Sequence, residues 1–447
     1  MSEFKTPNDL AAFVFSELNR SKIQDAKPSE EILREIFNTL YYTSLQTEEG
    51  QFIKVTVTLL DHNSTAKGKV LAYDDWAFYP FKPAIEFTVK NLVKLSKAAD
   101  PWSSSLAVYY NDQGELFING MIDQTIHYQS FLNYEREEKP AHPGIFQTMI
   151  NGIGILNVML DYQPIASLNQ NSLVKHYPNV FGIGPISEYL KRNIQYNHSF
   201  FEELIEEKLS ESDVDICNRL VLDYTIQSIS RILLKIKNYH HGGAVLITKD
   251  FKKDLNVKYQ LGYDRIEQAI MHILKAITDE EFLDDEVRNL RRAGSDMPIK
   301  LHRDYLATED EIDESYNELI GAIRFTSSLS CVDGLVLMSP NLKVKGFGTV
   351  ITEKEQPPYI RVNKNATPGT RITKISPSHF GTRHQSMFAY CYKHPDSLGF
   401  VVSQDGEIRA IKCVEGEVMM WENIKVYQFI KSNKMPKLPL PPKPPRK

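Results

Sequence analysis

Helical segments alternate with short apolar runs through the second half of this 447-residue sequence. A charged helical stretch runs from about residue 199 to 239, and the apolar run 242–248 follows it as a buried strand. Further helices are predicted at 262–293 and 309–327. The strands after them are predicted at 335–338, 349–351 and 400–402. Because helices alternating with apolar strands pack in layers around a sheet, we predict an α/β domain with a central mixed sheet flanked by helices.

The first half of the sequence has a different pattern. Two amphipathic helices are predicted at 8–24 and 29–42. The β-branched run 52–60 is typical of a strand, and the runs 105–110 and 115–122 are joined by a polar turn, as in a hairpin. These patterns predict an α+β, strand-rich N-terminal domain.

The length of the chain indicates its domain organisation, and its net charge indicates which partners it can bind. A chain of 447 residues is too long for one ordinary core. We predict a first domain at 1–197, a connecting helix at 198–240, a second domain at 241–430 and a disordered Pro/Lys-rich tail at 431–447. The net charge of −5 gives no broad basic field, so nucleic acid is not indicated as a partner.

Several classes of protein are not indicated. No apolar run approaches the roughly 18 residues that span a bilayer, and the first residues lack a secretion-signal pattern. We therefore expect a cytoplasmic protein with no membrane partner. The four cysteines lie far apart, so neither a zinc cage nor a disulfide framework is predicted.

The block 329–338 contains a candidate catalytic carboxylate, Asp333. Asp333-Gly334 between apolar residues has two interpretations that the sequence leaves open. The pair is a common hairpin turn. It also fits an aspartate at the mouth of a buried strand, where a carboxylate can hold a divalent metal or accept a proton from a hydroxyl.

The block 381–387 contains candidate anion-binding groups. Thr382 followed by Gln385 fits a capping box, which predicts that a helix begins here. The first turn of a helix offers unpaired N–H groups and the positive end of its dipole to an anion. Arg383 and His384 would add side-chain donors. The alternative is a plain helix cap with two surface cations.

The glycines between these blocks, and two glycine runs earlier in the chain, are weaker signals of a ligand-binding loop. Gly346-Phe347-Gly348 would form a bend at which the backbone approaches a ligand closely. No Gly-x-x-x-x-Gly-Lys-Ser/Thr motif occurs, which argues against a P-loop NTPase. The runs 152–154 and 182–184 lack the third glycine of a dinucleotide-binding loop and are interpreted as turns.

These motifs, taken in their order along the chain, resemble those of a known enzyme family. The Asp-Gly strand mouth, Gly-Phe-Gly, Gly-Thr-Arg-His and the run 401–408 (Val-Val-Ser-Gln-Asp-Gly-Glu-Ile) resemble the nucleotidyltransferase domain of diadenylate cyclases, the domain at the N-terminus of the DNA-integrity scanning protein. The likeness covers about residues 225–425. Upstream, the segments 47–50, 103–108 and 116–124 resemble the presumed DACNV-type sensor domain that precedes some bacterial cyclases.

The resemblance implies that two ATP molecules are condensed into cyclic di-AMP with release of pyrophosphate, under control of the N-terminal sensor domain. Each cyclase domain would hold one ATP, so a homodimer or higher homo-oligomer with the domains face to face is implied. The implied cofactor is Mg²⁺ or Mn²⁺, held by Asp333. The implied catalytic residues are Asp333, Arg383 and His384. The implied ATP-binding residues are Gly334, Leu335, Gly346, Phe347, Gly348, Thr382, Gln385, Ser403 and Gln404.

Four residues depart from the family pattern. Leu335 replaces an alanine, which would tighten the floor of the nucleotide pocket, and Gln385 replaces a second arginine, which removes a cation. Val332 stands where relatives have histidine, and Gln404 stands where relatives have glutamate, which removes a candidate metal ligand.

Two other functions therefore stay open. One is a degenerate cyclase domain that binds ATP or a cyclic dinucleotide and signals through the N-terminal domain. The other is an assembly scaffold. The N-terminal domain or the Pro-rich tail would be the place for a protein partner.

Overall fold

A computed structural model describes residues 4–20, 28–60, 77–99, 104–123, 146–160, 163–175, 177–206, 208–239, 241–251, 253–369, 373–404 and 406–426. The chain divides into two compact units, unit 1 (Met1–His176) and unit 2 (Tyr177–Lys447). The predicted tail at 431–447 lies outside the described residues.

Unit 1 contains helices and an antiparallel-rich sheet. Its described helices are α1 (Pro7–Arg20), α2 (Glu30–Ser44) and α3 (Val89–Ser96). Its described strands are β1 (Thr47–Glu48), β2 (Gln51–Phe52), β3 (Val55–Leu59), β4 (Ala77–Glu86), β5 (Ser104–Tyr110), β6 (Leu116–Asp123), β7 (Phe146–Gly152), β8 (Ile155–Leu160), β9 (Gln163–Asn169) and β10 (Ser172–Val174).

Eight of the described strands form one sheet in the order β10-β9-β8-β7-β3-β5-β6-β4. Only the β3–β5 pair among them is parallel, and β5 and β6 form the predicted hairpin. The helix α2 begins where Ser29 accepts a hydrogen bond from the Ile32 amide, and its apolar face packs with that of α1 against the sheet in one buried cluster. The predicted α+β character of the N-terminal region is thus confirmed.

Unit 2 is built around a mixed sheet. Its described helices are α4 (Pro185–Asn193), α5 (His198–Ile205), α6 (Glu211–Asn238), α7 (Arg265–Arg292), α8 (Ile299–Ser328) and α9 (Thr382–Lys393). Its described strands are β11 (Gly243–Thr248), β12 (Leu255–Tyr263), β13 (Leu335–Met338), β14 (Val344–Ile351), β15 (Ile360–Asn363), β16 (Thr373–Ile375), β17 (Ser397–Val402), β18 (Ile408–Val414) and β19 (Glu417–Trp421).

These strands follow the order β12-β14-β13-β11-β17-β18-β19-β15-β16. The central strand β11 is parallel to β13 on one side and antiparallel to β17 on the other. Phe388 and Met387 of α9 pack with Leu246 and Leu337 of the central strands in one buried cluster. The predicted α/β domain with a mixed central sheet is confirmed at this level.

Some predicted boundaries differ from the observed ones. The predicted connecting helix is two helices, α5 and α6, and the capping box of Ser210 and Asp213 begins the second. Helix α8 begins at Ile299, well before the predicted residue 309, because Pro298 occupies its N-cap and Leu301 continues the buried stripe. None of the helices in the described part of the chain combines the length and apolarity that a bilayer crossing requires.

Candidate functional site

The central strands bring the two sequence blocks to one edge of the sheet in unit 2. Strand β13 begins directly after Asp333 and Gly334, and its parallel neighbour β11 begins directly after Gly242. Strand β17 ends beside the start of β11, where Val402 pairs with Gly243. Neighbouring strands lie about 4.8 Å apart, so the backbones of β13 and β17 are roughly 10 Å apart. We call this place, defined by Gly242, Asp333 and Ser403, the Asp333 edge.

Asp333 is not a hairpin turn. It follows a 3₁₀ turn, Leu329–Cys331, and precedes β13, whose parallel partner β11 lies far upstream in the chain. The interpretation of Asp333 as a residue at a strand mouth therefore fits the structure. Its side chain is exposed and makes no hydrogen bond or ion pair to any residue within the described ranges.

Gly334 and Gly348 form the floor beside Asp333. A Cβ atom on Gly334 would lie 2.5 Å from the carbonyl carbon of Gly348, and the φ angles of the two residues are +119° and +61°. Strand β14 carries an extra residue between Gly346 and Thr349, a β-bulge, so the predicted Gly-x-Gly bend is a bulge within a strand. The floor is therefore bare backbone.

Leu335, the first residue of β13, follows this floor. Its side chain is buried in the core cluster with Leu246 and Leu337. The first side chain of β13 thus faces the core, and the tightening of a nucleotide pocket at this residue stays a prediction.

The Arg383 side chain reaches the Asp333 edge from α9. A Cβ atom on Gly242 would lie 3.0 Å from Nη1 of Arg383 and 3.3 Å from the backbone nitrogen of Gln404. The guanidinium thus lies at the end of β17. Arg383 is exposed, and it forms no ion pair with a carboxylate in the described part of the chain. It is available to an anionic ligand.

The start of α9 agrees with the prediction, but its cap does not. Helix α9 begins at Thr382 with Gly381 as N-cap and no side-chain cap. The Gln385 amide donates to the carbonyl of Phe380 instead. A capping box joins the N-cap to the third helical residue, and here Thr382 is the first helical residue, so the predicted box is wrong by one position. Because no side chain caps this helix, its leading N–H groups are open to an anion.

His384 is buried and neutral. Its Nε2 lies 3.0 Å from Nη1 of Arg409. A guanidinium can only donate, so Nε2 accepts and Nδ1 carries the proton. Burial, followed by the charges of Arg409 and Arg383, lowers the pKa of His384 to about 4. The alternative of two surface cations is wrong for this residue.

Arg409 on β18 is a residue that sequence reasoning missed. It donates to His384 and to the carboxylate of Glu407, and its Nε lies 3.5 Å from Oε1 of Glu422. Glu407 and Arg409 are two positions apart on or beside a strand, so they share a face. This spacing of two residues was the sequence signal that could have identified the Glu407–Arg409 pair. The network fixes the ring of His384 beneath the start of α9.

Ser403 and Gln404 follow the end of β17 at this edge. The Ser403 hydroxyl accepts from the Glu407 amide at 3.0 Å, and the Ser403 amide donates to the Glu407 carbonyl at 2.9 Å. Ser403 therefore closes the turn that leads to β18. The turn holds the backbone of Gln404 beside Arg383.

An aromatic pair, the exposed Tyr259 and the half-buried Phe347, flanks the glycine floor. Tyr259 of β12 stacks on Phe347, with ring centroids 4.9 Å apart and ring planes inclined by 22°. The Tyr259 ring is 42% exposed and lies 3.1 Å from a Cβ position on Gly348. Sequence reasoning named Phe347 and missed Tyr259. A flat ligand ring can stack on such a surface.

The Asp333 edge would supply few protein ligands to a metal. No group of three or more His, Cys, Asp or Glu side chains suited to a metal occurs among the described residues. A Mg²⁺-type cation is commonly bound by one or two carboxylates together with substrate phosphates. Asp333, exposed and without a described partner, fits that kind of site.

Comparison with known proteins bears on unit 1. A family model described as "Probable sensor domain DACNV" matches residues 22–123, the segment that leads through α2 to the end of β6. This match confirms the predicted sensor-type segment and indicates a sensing role. A search of curated proteins gave no match to the chain.

Proposed function

We propose that unit 2 condenses two ATP molecules into cyclic di-AMP and that the sensor domain in unit 1 controls this reaction. The observation that supports the proposal is that three groups lie at the same edge of the sheet. These groups are the exposed carboxylate of Asp333, the exposed guanidinium of Arg383 and the uncapped start of α9.

The reaction needs positioning and charge stabilisation more than covalent chemistry by the protein. The 3′-oxygen of one ATP forms a bond to the α-phosphorus of the other, and the bond from that phosphorus to the pyrophosphate oxygen breaks. A Mg²⁺ or Mn²⁺ ion held by Asp333 would supply neutralisation of phosphate charge. The carboxylate of Asp333 accepts the proton that leaves the 3′-hydroxyl.

The other groups bind and orient ATP. Arg383 and the first N–H groups of α9, including that of Thr382, contact phosphate oxygens. The bare floor at Gly334 and Gly348 lets the nucleotide approach the backbone. The exposed face of Tyr259 stacks on the base. His384 is neutral, so it acts here by positioning Arg409 and the start of α9, with no charge of its own.

A single Asp333 edge holds one ATP, so ring closure needs a second copy of the chain facing the first. We therefore propose a homodimer or a higher homo-oligomer as the active form. On dilution below the dimer dissociation constant, turnover per subunit falls. Turnover per subunit that stays constant there would contradict the paired arrangement.

A second candidate is an ATP or cyclic-dinucleotide sensor without turnover. Two observations favour it. The side-chain amide of Gln385 donates to the carbonyl of Phe380. The second phosphate-binding cation of the diadenylate cyclase pattern therefore has no replacement at this position. The described residues also include no group of three or more His, Cys, Asp or Glu side chains that could hold a metal with Asp333.

One experiment separates the candidates. The purified full chain is incubated with ATP and Mn²⁺, and the products are resolved by chromatography and mass. The cyclase proposal predicts cyclic di-AMP and pyrophosphate, with a loss on the order of 10²–10³ in rate for Asp333→Asn. The matched control is Asp310→Asn on the exposed face of α8, which keeps the wild-type rate.

Tight ATP binding without any product would favour the sensor. Neither binding nor product would contradict both candidates.

A further inference from the structure

A cavity lies at the opposite edge of the same sheet in unit 2. Its volume is about 340 Å³, within the usual range for small-ligand sites. It is lined by the end of α4, by residues that follow β11 and β13, and by the start of β14. Its lining residues include Lys249, Phe251, Lys343 and Lys345. We call it the lysine pocket, defined by its three lysines.

The lysine pocket is separate from the Asp333 edge. Strands β11 and β13 run in parallel away from Gly242 and Asp333, and they end at Thr248 and Met338, next to the pocket. Six residues of strand span roughly 20 Å. Open α/β sheets bind ligands beyond the carboxyl ends of their parallel strands, and this is where the pocket lies.

The charge of the pocket is unbalanced. Nζ of Lys343 lies 2.8 Å from Oε2 of Glu267, so that lysine is neutralised. Nζ of Lys345 lies 5.3 Å from the centroid of the Phe251 ring. Neither Lys249 nor Lys345 pairs with a carboxylate in the part of the chain that the structure describes. Two positive charges therefore remain for a ligand.

The wall around these lysines is held by hydrogen bonds. The hydroxyl of Tyr196 donates to Oε1 of Glu267 at 2.8 Å, and the amide of Asn341 donates to the same carboxylate. The hydroxyl of Ser339 donates to Oδ1 of Asn341 at 2.7 Å. Glu267 is thus engaged on both oxygens, and it cannot also neutralise the other two lysines. Such a preorganised wall lowers the cost of binding.

We propose that the lysine pocket binds a small phosphorylated metabolite. A phosphate monoester carries a charge of about −1.5 to −2 at pH 7, which matches the two unpaired lysines. Lys249 and Lys345 contact the phosphate oxygens, and the ring of Phe251 packs against the organic part of the ligand. This assignment is independent of the cyclase proposal.

Phenyl phosphate is a suitable probe, because it combines a dianion with a flat ring. The full chain is titrated with it by calorimetry at pH 8, where the phosphate is fully ionised. Each charge-assisted contact contributes about tenfold in affinity, so Lys249→Gln with Lys345→Gln is expected to weaken binding about 100-fold. Circular dichroism and a thermal melt of the double variant report on its folding.

Two control variants locate the bound probe. Lys253→Gln removes a neighbouring lysine that pairs with Asp250 at 3.6 Å and does not line the pocket, and Arg383→Gln removes the cation at the Asp333 edge. The proposal predicts that both retain wild-type affinity within about twofold. Binding lost only in Arg383→Gln would place the probe at the other edge and overturn the proposal.

The charge of the ligand is tested with phenyl sulfate, a monoanion of similar shape. We expect it to bind at least about tenfold more weakly than phenyl phosphate, because one of the two lysines stays unmatched. Equal affinity for the two probes would overturn the phosphate assignment. Absence of binding by the wild-type chain at millimolar phenyl phosphate would overturn the site altogether.

Discussion

The two edges of the sheet in unit 2 differ in the charges that they expose. The Asp333 edge presents a carboxylate and a guanidinium, Asp333 and Arg383, neither of them paired within the described residues. The lysine pocket exposes cations, and the neighbouring carboxylate of Glu267 is engaged by Lys343 and Tyr196. The first arrangement suits a ligand that brings both phosphate and a metal ion, and the second suits an anion alone. The two ends of the central strands are thus chemically different, and we propose that each binds a different kind of phosphate ligand.

The largest effect that separates the edges is expected from Arg383. Replacing Arg383 with alanine removes the exposed cation at the Asp333 edge, and turnover should fall on the order of 10²–10³. The rate of cyclic di-AMP formation measures this. Arg288→Gln, which alters an exposed arginine on α7 that pairs with Asp285 at 2.8 Å, is the matched control and should keep the rate. Equal loss in both variants would remove the special role of the Asp333 edge.

The next effect concerns His384 and pH. Burial lowers the pKa of His384 from 6.5 to about 4, so the unfolded chain binds a proton more readily than the folded one between these values. Above pH 6.5 His384 is neutral in both states, and its contribution to the free energy of unfolding is complete. As the pH falls towards 4 the unfolded chain gains the proton first, so the free energy of unfolding decreases by roughly 3 kcal/mol.

Urea unfolding of wild type and His384→Gln across this pH range measures the difference. The variant should lose stability less steeply between pH 6.5 and 4. Identical slopes would contradict the buried, neutral histidine.

A smaller effect is expected at the glycine floor. Gly334→Ala places a Cβ 2.5 Å from the backbone of Gly348 at a φ of +119°, so we expect a loss of about 1–3 kcal/mol in the free energy of unfolding. Gly369→Ala, where a Cβ meets no atom within 4 Å, is the control. Chemical denaturation compares the two variants. Equal stability of the two variants would mean that the backbones of Gly334 and Gly348 can move apart to accommodate the added methyl group.

The smallest effect concerns the aromatic pair. Tyr259→Leu keeps an apolar side chain and removes the stacking face beside Gly348. We expect ATP affinity to weaken by roughly 1 kcal/mol, about fivefold, with little change in binding of inorganic pyrophosphate. Calorimetric titration with each ligand measures both. A matched loss for pyrophosphate would show that Tyr259 acts on the phosphates and not on the base.

Local patterns were sufficient for two of the strands that build the Asp333 edge, β11 and β13, whereas β17 begins at Ser397, three residues before the prediction. The bounds of β13, and of β11 within one residue, follow from short apolar runs that begin at glycine and end at polar residues. The start of α9 was also predicted, but its cap was placed one residue too late, because Thr382 fits the pattern better than the Gly381 that the backbone uses. The early start of α8 at Ile299 was missed because apolar residues are sparse among the charged residues of its first turns.

What the sequence could not supply is non-local. The choice between a hairpin and a strand mouth at Asp333 depends on β11, whose parallel pairing with β13 no local pattern records. Arg409 lies 25 residues from His384 in the chain, and only folding brings them into contact. The lysine pocket likewise joins segments from α4, β11 and β14.

The most direct test of the account is a crystal structure of the full chain with a non-hydrolysable ATP analogue and Mn²⁺. The account predicts the triphosphate at the Asp333 edge, with the cation on the carboxylate of Asp333, phosphate oxygens on Arg383 and the start of α9, and a second copy of the chain opposite. A nucleotide bound elsewhere in unit 2, or an Asp333 that contacts neither cation nor nucleotide, would contradict it.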